Sequence, residues 1–228
     1  MAGTTITFPM VLARLDYANR LTEADYRGVT VDPRETICRY VEFAGTKGIK
    51  YERYVNSDEN LAYPHRLTRN NFRNSKKVNS QGWHYSWVED LIDRDWPELA
   101  RVPLDADALE TDAFDADAIA VLVALCQYRG IRVANATKLL YQKRPRLIPI
   151  LDVLARKALG VHWAGGDDAF RDAFALGFRR VREVAAHRNN ARVLSDVTAW
   201  LESDPGLTGG LPLSRLRILD ILAWQVGR

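Results

Sequence analysis

The sequence predicts a mainly helical fold. Apolar residues recur at helical spacing through most of the chain, whereas β-prone side chains occupy only two short runs, residues 4–8 and 51–55. The chain has 228 residues, 47% of them hydrophobic, which is enough to bury a sizeable core without disulfide bonds. One large helical domain or two small lobes are therefore expected.

Capping residues mark the ends of the predicted helices. Asp32 followed by Pro33 is typical of a helix N-terminus, and Ser214 is a good cap for the last helix. Helices are predicted at 10–19, 33–44, 67–75, 84–94, 115–128, 133–142, 153–160, 167–188, 190–203 and 214–226, with a break at Gly177 as an alternative. The predicted organisation is an N-terminal lobe of residues 1–112 and a C-terminal lobe of residues 113–228, with a single domain as the alternative.

Charge is distributed unevenly, although the net charge is only +3. Residues 93–117 carry nine acidic and two basic side chains, which predicts a solvated linker or outer face. Residues 118–166 carry eight basic side chains and one acid, Asp152. The second segment is therefore a candidate surface for binding an anion.

A second basic segment, residues 61–88, interleaves arginines and lysines with aromatic side chains and contains no acid. This pattern suits a surface that contacts phosphates and stacks against unpaired or extruded bases. A solvated helix face whose aromatic residues belong to the core explains the same pattern. We keep both interpretations open.

The segment from Tyr128 to Leu140 predicts two helices joined by a tight turn at Gly130. Such a turn directs backbone N–H groups at the positive end of the second helix, where they can hold a phosphate without reading sequence. Pro145 and Pro149 then predict an extended connection that ends at Asp152, the first residue of the next helix. Asp152 is either an ordinary N-cap or a functional carboxylate, and the two roles are compatible.

These segments resemble the helix-hairpin-helix DNA glycosylase superfamily over residues 115–160. Gly130 and Ile131 match the hairpin, Ala136 the alanine that packs the second helix, Pro149 the loop proline and Asp152 the essential aspartate. The resemblance implies a two-lobed helical glycosylase-like fold, double-stranded DNA as the partner, and no cofactor. It also implies that Asp152 is catalytic.

The chain departs from the family pattern at four positions. The family has proline, a second glycine and threonine where this chain has Arg129, Arg132 and Asn135. The Arg132 side chain occupies space where the family's backbone contacts a phosphate, so we expect its guanidinium to contact the phosphate instead. Bifunctional members carry a Schiff-base lysine where this chain has Ala134, and no lyase activity is therefore expected. Lys138, one turn further along the helix, is a weaker substitute candidate.

The expected site residues fall into two sets besides Asp152. DNA contacts are expected from Arg129, Gly130, Ile131, Arg132, Val133, Lys138, Lys143, Arg144, Arg146, Arg69, Arg73, Lys76 and Lys77. The base pocket or wedge is expected among Trp83, Tyr85, Trp87, Tyr141, His162 and Trp163. Trp83 and Trp163 are favoured because both lie close to flexible glycines. No metal site is expected, since histidines and cysteines show no ligand-like spacing.

The sequence thus predicts a monofunctional DNA glycosylase, cytoplasmic and monomeric, that leaves an abasic site. The alternatives are a non-catalytic DNA-binding hairpin module, and a nuclease or structural helical protein with accidental similarity. Alkylated, oxidised and deaminated bases are open as substrates, as are the bulky modified bases of bacteriophage DNA. We favour the last, and hence a role in antiviral defence, because residues 61–88 do not match standard repair members.

Overall fold

The computed structural model describes residues 5–9, 20–22, 25–26, 30–46, 96–128, 131–141, 143–161, 169–204, 206 and 213–228. In these residues β1 (Ile6–Thr7) pairs antiparallel with β2 (Thr30–Val31). The helices are α1 (Pro33–Thr46), α2 (Pro97–Ala100), α3 (Asp115–Cys126), α4 (Val133–Tyr141), α5 (Val153–Leu159), α6 (Ala169–Ala186), α7 (Arg188–Ser203) and α8 (Arg215–Gly227). The mainly helical prediction is confirmed. The helices predicted at 10–19, 67–75 and 84–94 and the run at 51–55 lie outside the described residues.

Two helices begin at the capping residues that the sequence indicates. The Asp32 carboxylate accepts hydrogen bonds from the backbone N–H groups of Arg34, at 2.9 Å, and Glu35, at 3.2 Å. The Ser214 hydroxyl accepts one from the N–H of Arg217 at 3.1 Å. Each cap satisfies N–H groups that have no partner within their own helix, which stabilises these N-termini.

The described helices share one hydrophobic core, which runs from Ile6 to Ala223. The C-terminal helix α8 lies at its centre and packs against α5 and α1, while α6 packs against α3 and α7. Asn190 on α7 holds β1, since its side chain exchanges two hydrogen bonds with the Thr7 backbone at 2.8 and 2.9 Å. Residues before and after position 112 thus contribute to the same core.

Helix α6 is continuous, so the alternative of a break at Gly177 is wrong. Gly177 is buried, and a Cβ atom there would lie 2.4 Å from Cδ1 of Leu151. The glycine therefore serves close packing. The side chain of Leu151, the residue directly before Asp152, packs against α6 at this glycine.

The acidic segment is only partly solvated, which corrects the prediction for residues 93–117. Asp107 is buried and accepts a hydrogen bond from Nη2 of Arg146 at 3.2 Å. Asp115 forms a two-pronged ion pair with Arg182 on α6. Asp107 is buried and Asp115 is partly buried, and each has a guanidinium partner that compensates the loss of solvation.

No helix in the described part of the chain is both long and apolar enough to cross a membrane.

Candidate functional site

The turn between α3 and α4 places an arginine directly before α4. The N–H of Ile131 donates to the carbonyl of Tyr128 at 3.0 Å, and the carbonyl of Arg132 accepts from two N–H groups of the first turn of α4. The exposed Arg132 guanidinium donates to the carbonyl of Ile131 at 3.2 Å and lies 5.7 Å from the ring centre of Phe170. A positive charge is therefore held at the helix N-terminus, the end that attracts anions.

Asp152 is the N-cap of α5. Its Oδ1 accepts hydrogen bonds from the N–H groups of Leu154 and Ala155, both at 3.0 Å. Its Oδ2 lies 3.8 Å from Nζ of Lys138 on α4, and the Asp152 side chain is 18% exposed. One carboxylate oxygen is thus engaged by the helix, and the other is directed toward a cation.

Two buried side chains hold the backbone that leads to Asp152. Thr137 on α4 is fully buried, and its hydroxyl accepts from the N–H of Leu151 at 3.1 Å while donating to the carbonyl of Val133 at 3.0 Å. Asp220 on α8 accepts from the N–H of Ile150 at 3.1 Å. Two consecutive peptide groups are therefore fixed by two different helices.

A glycine near the end of α8 lets that helix approach the backbone of α5. A Cβ atom at Gly227 would lie 2.1 Å from the carbonyl oxygen of Leu154, two residues after Asp152. Lys157 on α5 also donates from Nζ to the carbonyl of Gly227 at 3.2 Å. The position of α5, and with it that of its capping carboxylate, depends on this contact.

Two basic side chains, Lys138 and Arg156, interact electrostatically with Asp152, and Arg217 interacts with Lys138. Burial lowers the pKa of Lys138, which is 13% exposed; Asp152 opposes that change and Arg217 reinforces it. Burial also lowers the pKa of Arg156, and Asp152 again acts in the opposite direction. Lys138, Arg156 and Arg217 therefore lie near enough to one another or to Asp152 for their charges to interact.

Arg217 on α8 lies between two tyrosines. Its guanidinium carbon is 5.4 Å from the ring centres of both Tyr40 and Tyr141, and its Nη2 donates to the Tyr40 hydroxyl at 2.8 Å. Tyr141 follows Lys138 by three residues, so the two share one side of α4. The cluster formed by Asp152, Lys138, Arg217, Tyr40 and Tyr141 thus joins α1, α4, α5 and α8.

Several residues predicted to contact DNA are in the interior. Arg144 is 2% exposed and donates from Nη2 to the carbonyl of Leu99 at 3.3 Å, and Lys143 is buried as well. The prediction of surface contacts is therefore wrong for these two residues, and the Arg144 guanidinium instead holds the α4–α5 connection against α2. Ile131 and Val133 are also buried, so only their backbone could meet a phosphate.

The remaining predicted residues have mixed placements. Arg146 is partly exposed while bonded to Asp107. Tyr141 is buried, which is incompatible with a wedge that enters the base stack but compatible with a pocket wall. Outside the described residues lie Arg129, Gly130, Arg69, Arg73, Lys76, Lys77, Trp83, Tyr85, Trp87, His162 and Trp163.

Sequence reasoning missed Thr137, Asp220, Arg217 and Tyr40. A signal for two of them was present, because Arg217 and Asp220 are the only charged residues between Leu216 and Ala223 in an otherwise apolar run. Charged side chains are rarely buried unless they have partners, so such residues in a core helix indicate a specific interaction. Thr137 gave no comparable signal, since threonine also occurs on solvated helix surfaces.

No group of three or more histidine, cysteine, aspartate or glutamate side chains is placed to hold a metal ion in the ranges that the structure describes.

The sequence profile of a family of unknown function (DUF6308) matches residues 35–227, which extend from the first turn of α1 to the last residue of α8. No curated protein and no solved structure matches the chain.

Proposed function

The chain belongs to this family, DUF6308, and we propose that it is a monofunctional DNA glycosylase that extrudes a modified or damaged base and hydrolyses its N-glycosidic bond. The observation that carries the proposal is the placement of Asp152. It follows the helix–turn–helix pair α3–α4, is joined to α4 through Thr137, and keeps one carboxylate oxygen outside its capping bonds. This arrangement supports a helix-hairpin-helix glycosylase-like fold.

The chemistry of the proposed reaction gives a carboxylate a direct role. As the base departs, positive charge develops on the deoxyribose, and a fixed carboxylate beside C1′ stabilises that charge or orients the attacking water. The two capping bonds to Oδ1 fix the plane of the Asp152 carboxylate. Capping and catalysis therefore use different oxygens of the same group.

Double-stranded DNA would be held at the turn before α4. The Arg132 guanidinium would add a charge-assisted phosphate contact to those of the N–H groups at the start of α4, without reading sequence. The basic and aromatic segment at residues 61–88, which lies outside the described residues, would supply further phosphate contacts and the stacking groups for the extruded base.

The substrate that we favour is a modified base of bacteriophage DNA, and we propose that the protein is a defence enzyme that acts as a monomer in the cytoplasm. The support is the composition of residues 61–88, a basic and aromatic segment that does not match standard repair members. Damaged bases of the host genome are the alternative substrates.

One observation favours a second function, a non-catalytic DNA-binding module. The capping bonds and the approach of Lys138 already give Asp152 a structural role. In that case the hairpin would bind DNA, and the carboxylate would only stabilise α5.

The variant Asp152→Asn tests the proposed function against this alternative. Base excision is expected to vanish, because the amide is nearly isosteric and still offers a capping oxygen but carries no negative charge. DNA affinity is expected to be equal or higher, since a negative charge near the phosphates is removed. Abasic sites are measured on genomic DNAs of known modification and on oligonucleotides with single modified bases.

The matched control is Asp172→Asn, which removes an exposed carboxylate from the first turn of α6. It is expected to excise bases as the wild type does. Turnover retained by Asp152→Asn would exclude Asp152 as the catalytic residue. A large loss of thermal stability, without any excision by the wild type, would favour the binding module.

Product analysis is expected to show an intact abasic strand that breaks only on later treatment with alkali or heat. Borohydride is expected to trap no covalent complex, because Ala134 occupies the position of the Schiff-base lysine. A trapped adduct that disappears in Lys138→Gln would contradict the monofunctional assignment, since Nζ of Lys138 lies 3.8 Å from Asp152.

Charge reversal at the turn, Arg132→Glu, is expected to lower affinity for all DNA sequences alike. The number of ions released on binding is expected to fall by about one, which is read from the slope of affinity against salt concentration. Arg192→Glu, on the exposed side of α7, is the control and is expected to bind as the wild type does. Loss of affinity for one sequence alone would mean that the turn reads bases.

A further inference from the structure

We propose that the basic side chains around Asp152 select the extruded base by its charge. Bases that are neutral in DNA and depart as anions are substrates, and alkylated bases that are already cationic are excluded. The inference rests on the proposed function and names its substrate class.

The charges of the described residues at this point favour an anion. Lys138 is 3.8 Å from Asp152, Arg156 interacts electrostatically with Asp152, and Arg217 interacts with Lys138. The further acid close by is Asp220, whose Oδ2 accepts the N–H of Ile150. Lys138 and Arg156 thus interact with Asp152, and Arg217 adds a positive charge beside Lys138.

Burial strengthens the electrostatic effect of these basic side chains on a nearby anion. Arg217 is only 7% exposed and Lys138 13%, so their charges are screened by water less than surface charges are. Arg217 is also held in place, because its guanidinium lies between Tyr40 and Tyr141 and donates to the Tyr40 hydroxyl. A charge that is already oriented stabilises a developing charge without reorganisation.

The chemistry of the leaving base converts this charge into selectivity. When the C1′–N bond of a neutral base breaks, its electron pair goes to the base nitrogen, and water then adds hydroxide to C1′ and leaves its proton to the base. The base is negative in the transition state, where nearby cations stabilise it. An alkylated purine such as 7-methylguanine begins as a cation and departs neutral, so the same cations repel it before cleavage and stabilise nothing afterwards.

Single-turnover excision from duplexes that differ in one base tests the selection. Uracil, 5-hydroxymethyluracil and 5-hydroxymethylcytosine represent neutral bases, and 7-methylguanine and 3-methyladenine represent cationic ones. The rate enhancement, which is the enzymatic rate divided by the uncatalysed rate, is expected to be at least about tenfold larger for the neutral bases than for the cationic bases. Equal or preferred excision of the cationic bases would overturn the inference and leave the glycosylase function standing. If neither class of base is excised, the result would count against both the charge selection and the proposed glycosylase function.

Variants of Arg217 separate a charge effect from a structural one. Across uracils substituted at C5, whose N1 acidities differ, Arg217→Met is expected to make the excision rate depend more steeply on leaving-group acidity. Arg217→Lys keeps the charge and is expected to keep the wild-type slope. Arg215→Met removes a positive charge from the same helix, where it pairs with Glu110, and is the control.

Thermal melts accompany each variant. If Arg217→Met does not fold at the assay temperature, Lys138→Gln carries the same test with the same expected change of slope. An unchanged slope in a folded variant would overturn the inference.

Discussion

The hydroxyl of Thr137 is the smallest group on which the placement of Asp152 depends, and its removal gives a sharp prediction. Thr137→Val preserves the volume of the side chain but leaves the N–H of Leu151 without its acceptor in a fully buried position. An unsatisfied buried donor costs about 1–3 kcal/mol in folding free energy. The hydroxyl's own proton is shared between the carbonyls of Val133 and Ala134 and adds to the backbone hydrogen bonding of α4, so the loss of this donor is expected to matter less.

The assay combines stability, local exchange and catalysis. Urea unfolding is expected to give a lower midpoint with an unchanged slope, and the Leu151 amide is expected to lose hydrogen-exchange protection ahead of its neighbours. If excision needs Asp152 at its present position, the single-turnover rate falls by about tenfold or more while DNA affinity is unchanged. Thr137→Ser keeps the hydroxyl, and is expected to retain the amide protection and most of the rate despite the lost methyl group.

Full protection of the Leu151 amide in Thr137→Val would refute this reasoning, because the peptide group would then have another acceptor. A rate unchanged in Thr137→Val despite lost protection would separate the bond from catalysis. Amide protection is measured without any substrate. The rate comparison needs only one modified duplex that the wild type cleaves, and the natural substrate need not be known.

Two further predictions concern the same region. Gly227→Ala is expected to destabilise the fold by about 1–3 kcal/mol, because its Cβ atom would meet the backbone of Leu154. Gly177→Ala would meet only the side chain of Leu151, so it is expected to cost less folding free energy. Urea midpoints that rank the two variants in the opposite order would contradict the close approach of α8 to α5. Burial lowers the pKa of Lys138 below its ordinary 10.5, so the unfolded chain holds a proton that the folded chain has lost as the pH approaches that value. The free energy of unfolding of the wild type, relative to Lys138→Met, is therefore expected to rise with pH in that interval, and a difference independent of pH would contradict the burial of an ionisable group.

The helices were predictable where local chemistry decides them. Asp32, Asp152 and Ser214 were recognised as caps from sequence alone, and each accepts the N–H bonds that a cap provides. Capping depends on residues within one turn of each other, which a linear sequence displays. The capping role of Asp152, one of the two that the sequence left open, therefore needs no tertiary contact to be predicted.

The surroundings of Asp152 were not predictable, because they depend on residues far apart in the chain. Asp220 bonds to Ile150 across 70 positions, and Arg217 meets Tyr40 across 177. The basic stretch after residue 118 was misleading for a related reason. Composition counts charges without showing that Arg144 is buried against Leu99.

The bracing of Asp152 from both α4 and α8 has a consequence for the order of assembly. The hairpin helices and the loop after them are neighbours in sequence and can form early, whereas the bond from Asp220 forms only after α8 has returned across the chain. Under the proposed function, a chain in which α8 has not docked carries the DNA-binding turn beside a carboxylate that is not yet in position. Such a chain is expected to bind DNA without excising bases, and full activity is expected only once α8 has docked.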